Sequence, residues 1–184
     1  MKLRALILNL AVASALALAV PAPALADDRT ADLLARLADP DEPRWQRLER
    51  ELLEHWSKSG SAAMDLLLRR GRDALEAGEF AKAIDHLTAA IDHDPEFAEA
   101  WHARASAYFR AGAYGPAMAD LAMALALNPA HFGALSGLGA ILEDTGRLEQ
   151  ALAAYRAAHA IHPRQPDIRR ALERVELMAG GLDT

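Results

Sequence analysis

An all-α solenoid of three stacked helix pairs is the fold class that this 184-residue sequence predicts, and three observations carry it. Pro95, Pro129 and Pro163 stand 34 residues apart, each closing a run rich in alanine and leucine. The same shift aligns Gly78 with Gly112 and Gly146, Ala83 with Ala117 and Ala151, and Ala90 with Ala124 and Ala158. Large residues fill further columns: Phe80, Tyr114 and Leu148; Leu87, Leu121 and Tyr155; Leu67, Trp101 and Leu135. A period of this length with fixed small and large columns is one helical unit repeated three times.

The chain opens with a segment that is expected to be removed. Lys2 and Arg4 precede an apolar run over residues 5–20, followed by Pro21 and Ala24-Leu25-Ala26. That is the layout of a secretory signal peptide, with cleavage expected after Ala26. Retention as an anchor is the alternative, but 16 residues containing Asn9 and Ser14 fall short of the roughly 20 that span a bilayer. A short leader, an alanine-rich bias and the absence of cysteine point to a soluble protein of a bacterial periplasm. Without cysteine there is no lipid-modified cysteine at the cleavage site, no disulfide and no thiolate chemistry.

Residues 27–63 read as an N-terminal helical cap. A short helix over residues 30–38 leads through a Pro- and Asp-rich turn to a second helix over residues 43–57. Trp45, Leu48, Leu52 and Trp56 share one stripe of that second helix. It departs from the 34-residue columns, so it is expected to cover the open end of the first repeat with both tryptophans packed on it. The competing expectation makes Trp45 and Trp56 an exposed partner interface.

The repeats occupy residues 64–97, 98–131 and 132–165. In the middle one, residues 98–111 place Trp101, Ala105 and Tyr108 at helical spacing, and Gly112 can close the helix in the left-handed conformation. Residues 116–127 form the second helix until Asn128-Pro129 stops it, because proline lacks the amide donor and disfavours helical geometry in the residue before it. Glycine or alanine at 71, 105 and 139 lets the two axes approach closely. A terminal helix over residues 167–178 turns Ile168, Leu172 and Val175 inward and Arg169, Arg170, Glu173 and Arg174 outward. With the frayed tail it completes a capping segment, residues 166–184.

On these residues the sequence resembles the tetratricopeptide repeat family. Trp101, Tyr108, Gly112, Tyr114, Ala117, Leu121, Ala124 and Pro129 match its W-x2-L-G-x2-Y, A, F, A, P pattern, and the flanking units match similarly. The departures are Arg70 and Arg104 in place of leucine and Ala105 in place of glycine. The resemblance places both arginines near the second helix, where Asp85 and Asp120 can accept ion pairs. It also implies a concave face, lined by the first helix of each pair, that grips a peptide. Well-known members hold a terminal carboxylate with lysines and asparagines; this chain has Leu68, Arg72, His102, Ser106, Ser136 and Ala140 in that area, which does not support such a clamp.

No motif for catalysis stands out. The glycines of "GALSGLGA" lie in a predicted helix with no strand before it, so neither a phosphate loop nor a nucleophile elbow is expected. His159 with His162, and His86 with His93, are spaced to share helix faces but lack a third ligand. Neither an enzyme, nor a cofactor, nor a metal site is expected. Loss of Lys2 and Arg4 leaves 18 basic against 26 acidic residues, a net charge of −8, which argues against nucleic-acid binding. The expected function is a non-enzymatic adaptor that binds a protein or peptide segment in the groove, through Arg69, Arg72, His102, Ser106, Phe109, Arg110 and Ser136. The same positions would look alike on an idle solvated face. The alternative is a self-assembling envelope component that uses Trp45 and Trp56 and leaves the groove unused.

Overall fold

The computed structural model describes residues 28–180; the expected signal segment and the last four residues of the tail lie outside them. Among the described residues there are nine helices and no strand. A hairpin of α1 (Asp28–Leu37) and α2 (Trp45–Trp56) comes first. Three pairs follow: α3 (Ala62–Glu76) with α4 (Phe80–His93), α5 (Ala98–Arg110) with α6 (Tyr114–Leu127), and α7 (Phe132–Asp144) with α8 (Leu148–Ile161). α9 (Pro166–Gly180) packs on α8 and ends the stack. The "GALSGLGA" segment lies within α7.

Each repeat is closed twice by the same local chemistry. Gly78, Gly112 and Gly146 sit at φ of 76°, 75° and 74°, a conformation that an L side chain resists. In the first of these turns the Gly78 amide donates to the Leu75 carbonyl at 3.1 Å and the Glu79 amide to the Ala74 carbonyl at 2.8 Å. The other two turns repeat both bonds, so carbonyls that the helix end would orphan are satisfied. The second helices end at His93, Leu127 and Ile161, two residues before each repeat proline.

Pairing depends on the small columns. A Cβ added to Gly71 would lie 2.5 Å from Leu87 Cγ, and one on Gly139 2.8 Å from the Tyr155 ring. Ala105 packs in one buried cluster with Leu121 at the equivalent place. Arg104 makes the expected pair, donating to both Asp120 oxygens at 2.7 and 2.8 Å, with a further bond to Thr88. Arg70 does not: it is exposed and forms no ion pair with Asp85. Glu143 of α7 gathers two further bonds: Tyr155 of α8 donates to it at 3.0 Å, and Arg174 of α9 donates to both of its oxygens. Arg174 is therefore a tie between α9 and α7 rather than a purely solvating residue.

The hairpin is where the fold departs from expectation. α2 does not cover the open end of the first repeat. Leu33, Leu37, Leu48 and Leu52 instead form one cluster with Phe132, Ala158 and Ile168, at the other end of the stack. Gly60, at φ 86°, lies in the turn between α2 and α3, and the apolar stripe of α2 finds its cover at the third repeat and α9, where Phe132, Leu135, Ala158, Ile161 and Ile168 join it in one cluster.

The close approach at Gly139 sets a directional test. Glycine to alanine inside a helix ordinarily stabilises by about 1 kcal/mol, and Gly115→Ala, which meets nothing within 4 Å, should follow that rule. Gly139→Ala drives a methyl into a buried ring, and overpacking of that kind costs about 1–3 kcal/mol. Urea unfolding should therefore move to lower concentration for Gly139→Ala and to higher or unchanged concentration for Gly115→Ala.

Candidate protein-binding groove

The first helices α3, α5 and α7 lie side by side and carry the inner face of the stack. The hairpin crosses this face and divides it. Over the third repeat, the Trp56 ring lies 4.8 Å from His131 and 5.6 Å from Phe132, and Trp45 meets His162 edge-on at 5.5 Å. Phe132 also meets His162, at 5.2 Å, and Arg164 donates to the Pro40 carbonyl at 3.2 Å. Both tryptophans are thus half-buried within the chain, not presented to solvent.

Toward the first repeat the face stays open. A cleft of about 870 Å³ runs between α2 on one side and α3 with α5 on the other. Its apolar lining comes from Leu53, Leu68, Leu75 and Ala103. Arg50, Lys58 and Arg69 stand exposed at it and form no ion pair. Such a surface offers aliphatic contact flanked by uncommitted positive charge, although Glu49, Glu54, Asp65 and Glu76 also border it.

The residues expected to line the groove divide accordingly. Arg69, Arg72, His102 and Ser106 line the cleft. Ser136 does not reach it. Phe109 stacks on Tyr114 at 5.7 Å and packs into the core between α5 and α6. Arg110 donates to the Leu75 carbonyl at 2.8 Å and covers the Phe80 ring. Phe109 and Arg110 are therefore occupied by internal contacts, Phe109 within its own helix pair and Arg110 against the first repeat, even though their spacing from His102 and Ser106 puts all four toward one side of α5.

Arg72 is committed as well. It pairs with Glu99 and donates to Ser57 Oγ at 2.9 Å, tying the end of α2 to α5. Glu99 is 3% exposed and also meets His102 Nδ1 at 3.4 Å and His131 Nε2 at 2.8 Å. Burial alone would raise the Glu99 carboxyl, but the hydrogen bonds and charges of the two histidines hold it well below the usual range. Burial, then the charge of His102, pushes the His131 imidazole down.

Glu99, His102 and His131 place three metal-ligand atoms within 4.8 Å of one another, a grouping that the sequence spacing did not bring together. Their hydrogen bonds assign another role. The Ala134 amide donates to His131 Nδ1 at 3.2 Å, which leaves the ring proton on Nε2, where it points at Glu99. An Nε2–H is a donor without a lone pair for a metal, and Arg72 already supplies the local positive charge. The cluster is a hydrogen-bond network that fixes the start of α7 against α5. The signals for it were a lone carboxylate on the alanine-rich α5 and a histidine just before α7, neither of which identifies its partner.

Comparison with known proteins follows the same lines. Tetratricopeptide repeat models match residues 68–131 and 132–175. A TPR repeat-containing protein of Rhizobium etli is 36% identical over 152 residues, which cover 83% of this chain and 72% of that protein. This chain belongs to the tetratricopeptide repeat family. It is also 34% identical over 97 residues to superkiller complex protein 3 of mouse, but spans only 6% of that protein. Among solved structures, the first TPR domain of Spaghetti bound to an HSP90 peptide is 28% identical, with a TM-score of 0.62 over 65% of this chain and 95% of that one. The Sgt2 TPR domain from Aspergillus fumigatus is 26% identical, with a TM-score of 0.64 over 67% and 83% of the two chains.

The electrostatics of this TPR chain predict a pH dependence. Burial lowers His162 to about 4, while an unfolded histidine titrates near 6.5. The folded state thus prefers the neutral ring; this contribution is complete above pH 6.5 and is lost as pH falls toward 4. His131 acts in the same direction, and Glu99 adds a further loss below the ordinary carboxylate range. Glu49, raised by burial and by Asp167, opposes them. Chemical unfolding at pH 7 and pH 5 should show stability falling by about 1–3 kcal/mol, and His162→Phe should remove much of that fall.

Proposed function

We propose that this chain is a non-enzymatic adaptor that holds a segment of a partner protein in the cleft between α2 and the α3–α5 face. The carrying observation is the cleft itself, with Leu53, Leu68, Leu75 and Ala103 for an apolar anchor and unpaired Arg50, Lys58 and Arg69 for an acidic group. The Spaghetti domain, bound to an HSP90 peptide, gives a precedent for segment binding on this fold. The basic residues here are arginines and a lysine contributed partly by the hairpin, so the preferred segment is acidic and apolar, not one defined by a terminal carboxylate clamp. A cleft of this size suits a transient interface of about micromolar affinity.

The setting belongs to the same proposal. The basic, apolar and A-x-A succession over residues 1–26 supports export to a bacterial periplasm. Mass spectrometry of the chain recovered from a periplasmic fraction should find Asp27 at its N-terminus; recovery of the intact leader in the membrane fraction would replace export by anchoring. Self-assembly through Trp45 and Trp56 is less favoured, because both rings are packed within the chain.

The cleft is tested with Lys58→Glu and Arg69→Glu together, positions whose side chains make no hydrogen bond or ion pair within the chain. Crosslinking capture from an envelope extract should recover a partner with the unaltered chain and lose it, by roughly tenfold or more, with the charge-reversed one. Equal recovery by both would place the working surface elsewhere.

A further inference from the structure

We infer that the surface beneath the hairpin is a second helix-docking site, that α2 is its resident ligand, and that a partner amphipathic helix with two aromatic anchors eleven residues apart displaces it. The inference rests on the reading that this chain binds partner segments, and it adds where and what kind.

The footprint of α2 supplies the template. Trp45 and Trp56 are three helical turns apart and each seats on aromatic rings, Trp45 on His162 and Trp56 on His131 and Phe132. Leu48 and Leu52, between them, are buried in the same cluster as Phe132 and Ile168. Anchors spaced along one face of a helix, received by a preformed apolar surface, are how amphipathic helices are recognised in grooves.

The hairpin is built as a separable unit. α1 and α2 pack on each other more closely than α2 packs on any repeat helix, and the side-chain bonds that join the end of the hairpin to the first repeat are those of Arg72 to Ser57 and of Ser59 to Asp65, which its departure would break. Residues 57–61 join the two parts, with Gly60 at φ 86° and no atom within 4 Å of where its Cβ would be. The hairpin can leave without unwinding a repeat.

The fit is also incomplete at one point. His162 is wholly buried and neither of its ring nitrogens has a hydrogen-bond partner. The Glu49 carboxylate lies 3.7 Å from Nε2, too far for a hydrogen bond, and is itself beside Asp167. A buried polar group without a partner opposes the docked state. A competing helix that places a hydroxyl or amide four residues after its first aromatic anchor satisfies His162 and binds in preference to α2.

The test uses the full chain and a fluorescent peptide of residues 43–57. The peptide should bind a Trp45→Ala, Trp56→Ala chain roughly tenfold tighter than the unaltered chain, because the variant's own hairpin competes less. A Glu49→Gln peptide should bind tighter still, since it keeps a polar group toward His162 without a charge facing Asp167. In the unaltered chain, saturating peptide should raise hydrogen exchange at the amides of α2; this readout decides the question if the double variant does not fold. Equal binding to both chains, or unchanged exchange in α2, overturns the inference. The Lys58→Glu, Arg69→Glu chain should bind the peptide normally while losing the captured partner; absence of peptide binding to the unaltered chain and to Trp45→Ala, Trp56→Ala, with partner capture by the unaltered chain intact, refutes the second site alone.

Discussion

The close approach of the two helices within each pair is the constraint on which the rest of the molecule depends. At Gly71 and Gly139 there is no room for a side chain, and Leu87 and Tyr155 fill the space directly opposite. Helix axes brought that near interlock their large residues, and each pair then presents a second apolar face that only a neighbouring pair can cover. Stacking follows from packing, and the shared inner face of α3, α5 and α7 follows from stacking. The left-handed glycines and the prolines keep the units in step by ending every helix at the same place.

A stack of this kind has two ends and one inner face to manage. One end is closed by α9, through Ile168, Ala171 and Val175 and the bonds of Arg174 to Glu143. The inner face is managed by the chain itself, which lays a two-helix hairpin across the third repeat. The polar groups tell the two kinds of contact apart. Around Glu99 every bond is completed, which is how a buried carboxylate is tolerated. Around His162 nothing is completed, and burial drives that ring toward its neutral form. The first arrangement ties α5 to α7 and, through Arg72, to the end of α2; the second holds the hairpin by ring contact with no hydrogen bond to the imidazole.

This division reshapes the binding face. Part of the inner surface is covered by α2, and the part toward the first repeat is a cleft with one wall supplied by that helix. Cations from α2 and α3 converge there, so the charge character of the cleft belongs to the docked hairpin as much as to the repeats.

The helices, their closure at glycine and before proline, and the pairing of Arg104 with Asp120 were legible in the sequence, because each is set by contacts within about one repeat length. Arg70, in the equivalent column, shows the limit of that reasoning: the same residue at an end repeat found no carboxylate. The stripe of Trp45, Leu48, Leu52 and Trp56 was legible as a buried face, but its destination was not, since an apolar stripe specifies that something must cover it and not which surface does. The Glu99, His102 and His131 network, the commitment of Arg72, Phe109 and Arg110 to structural bonds, and the placement of the hairpin were decided by the tertiary fold. Local hydrogen-bond chemistry and periodic packing act over tens of residues and leave a pattern; the docking of one end of a chain on the other depends on complementary shape, which has no period to read.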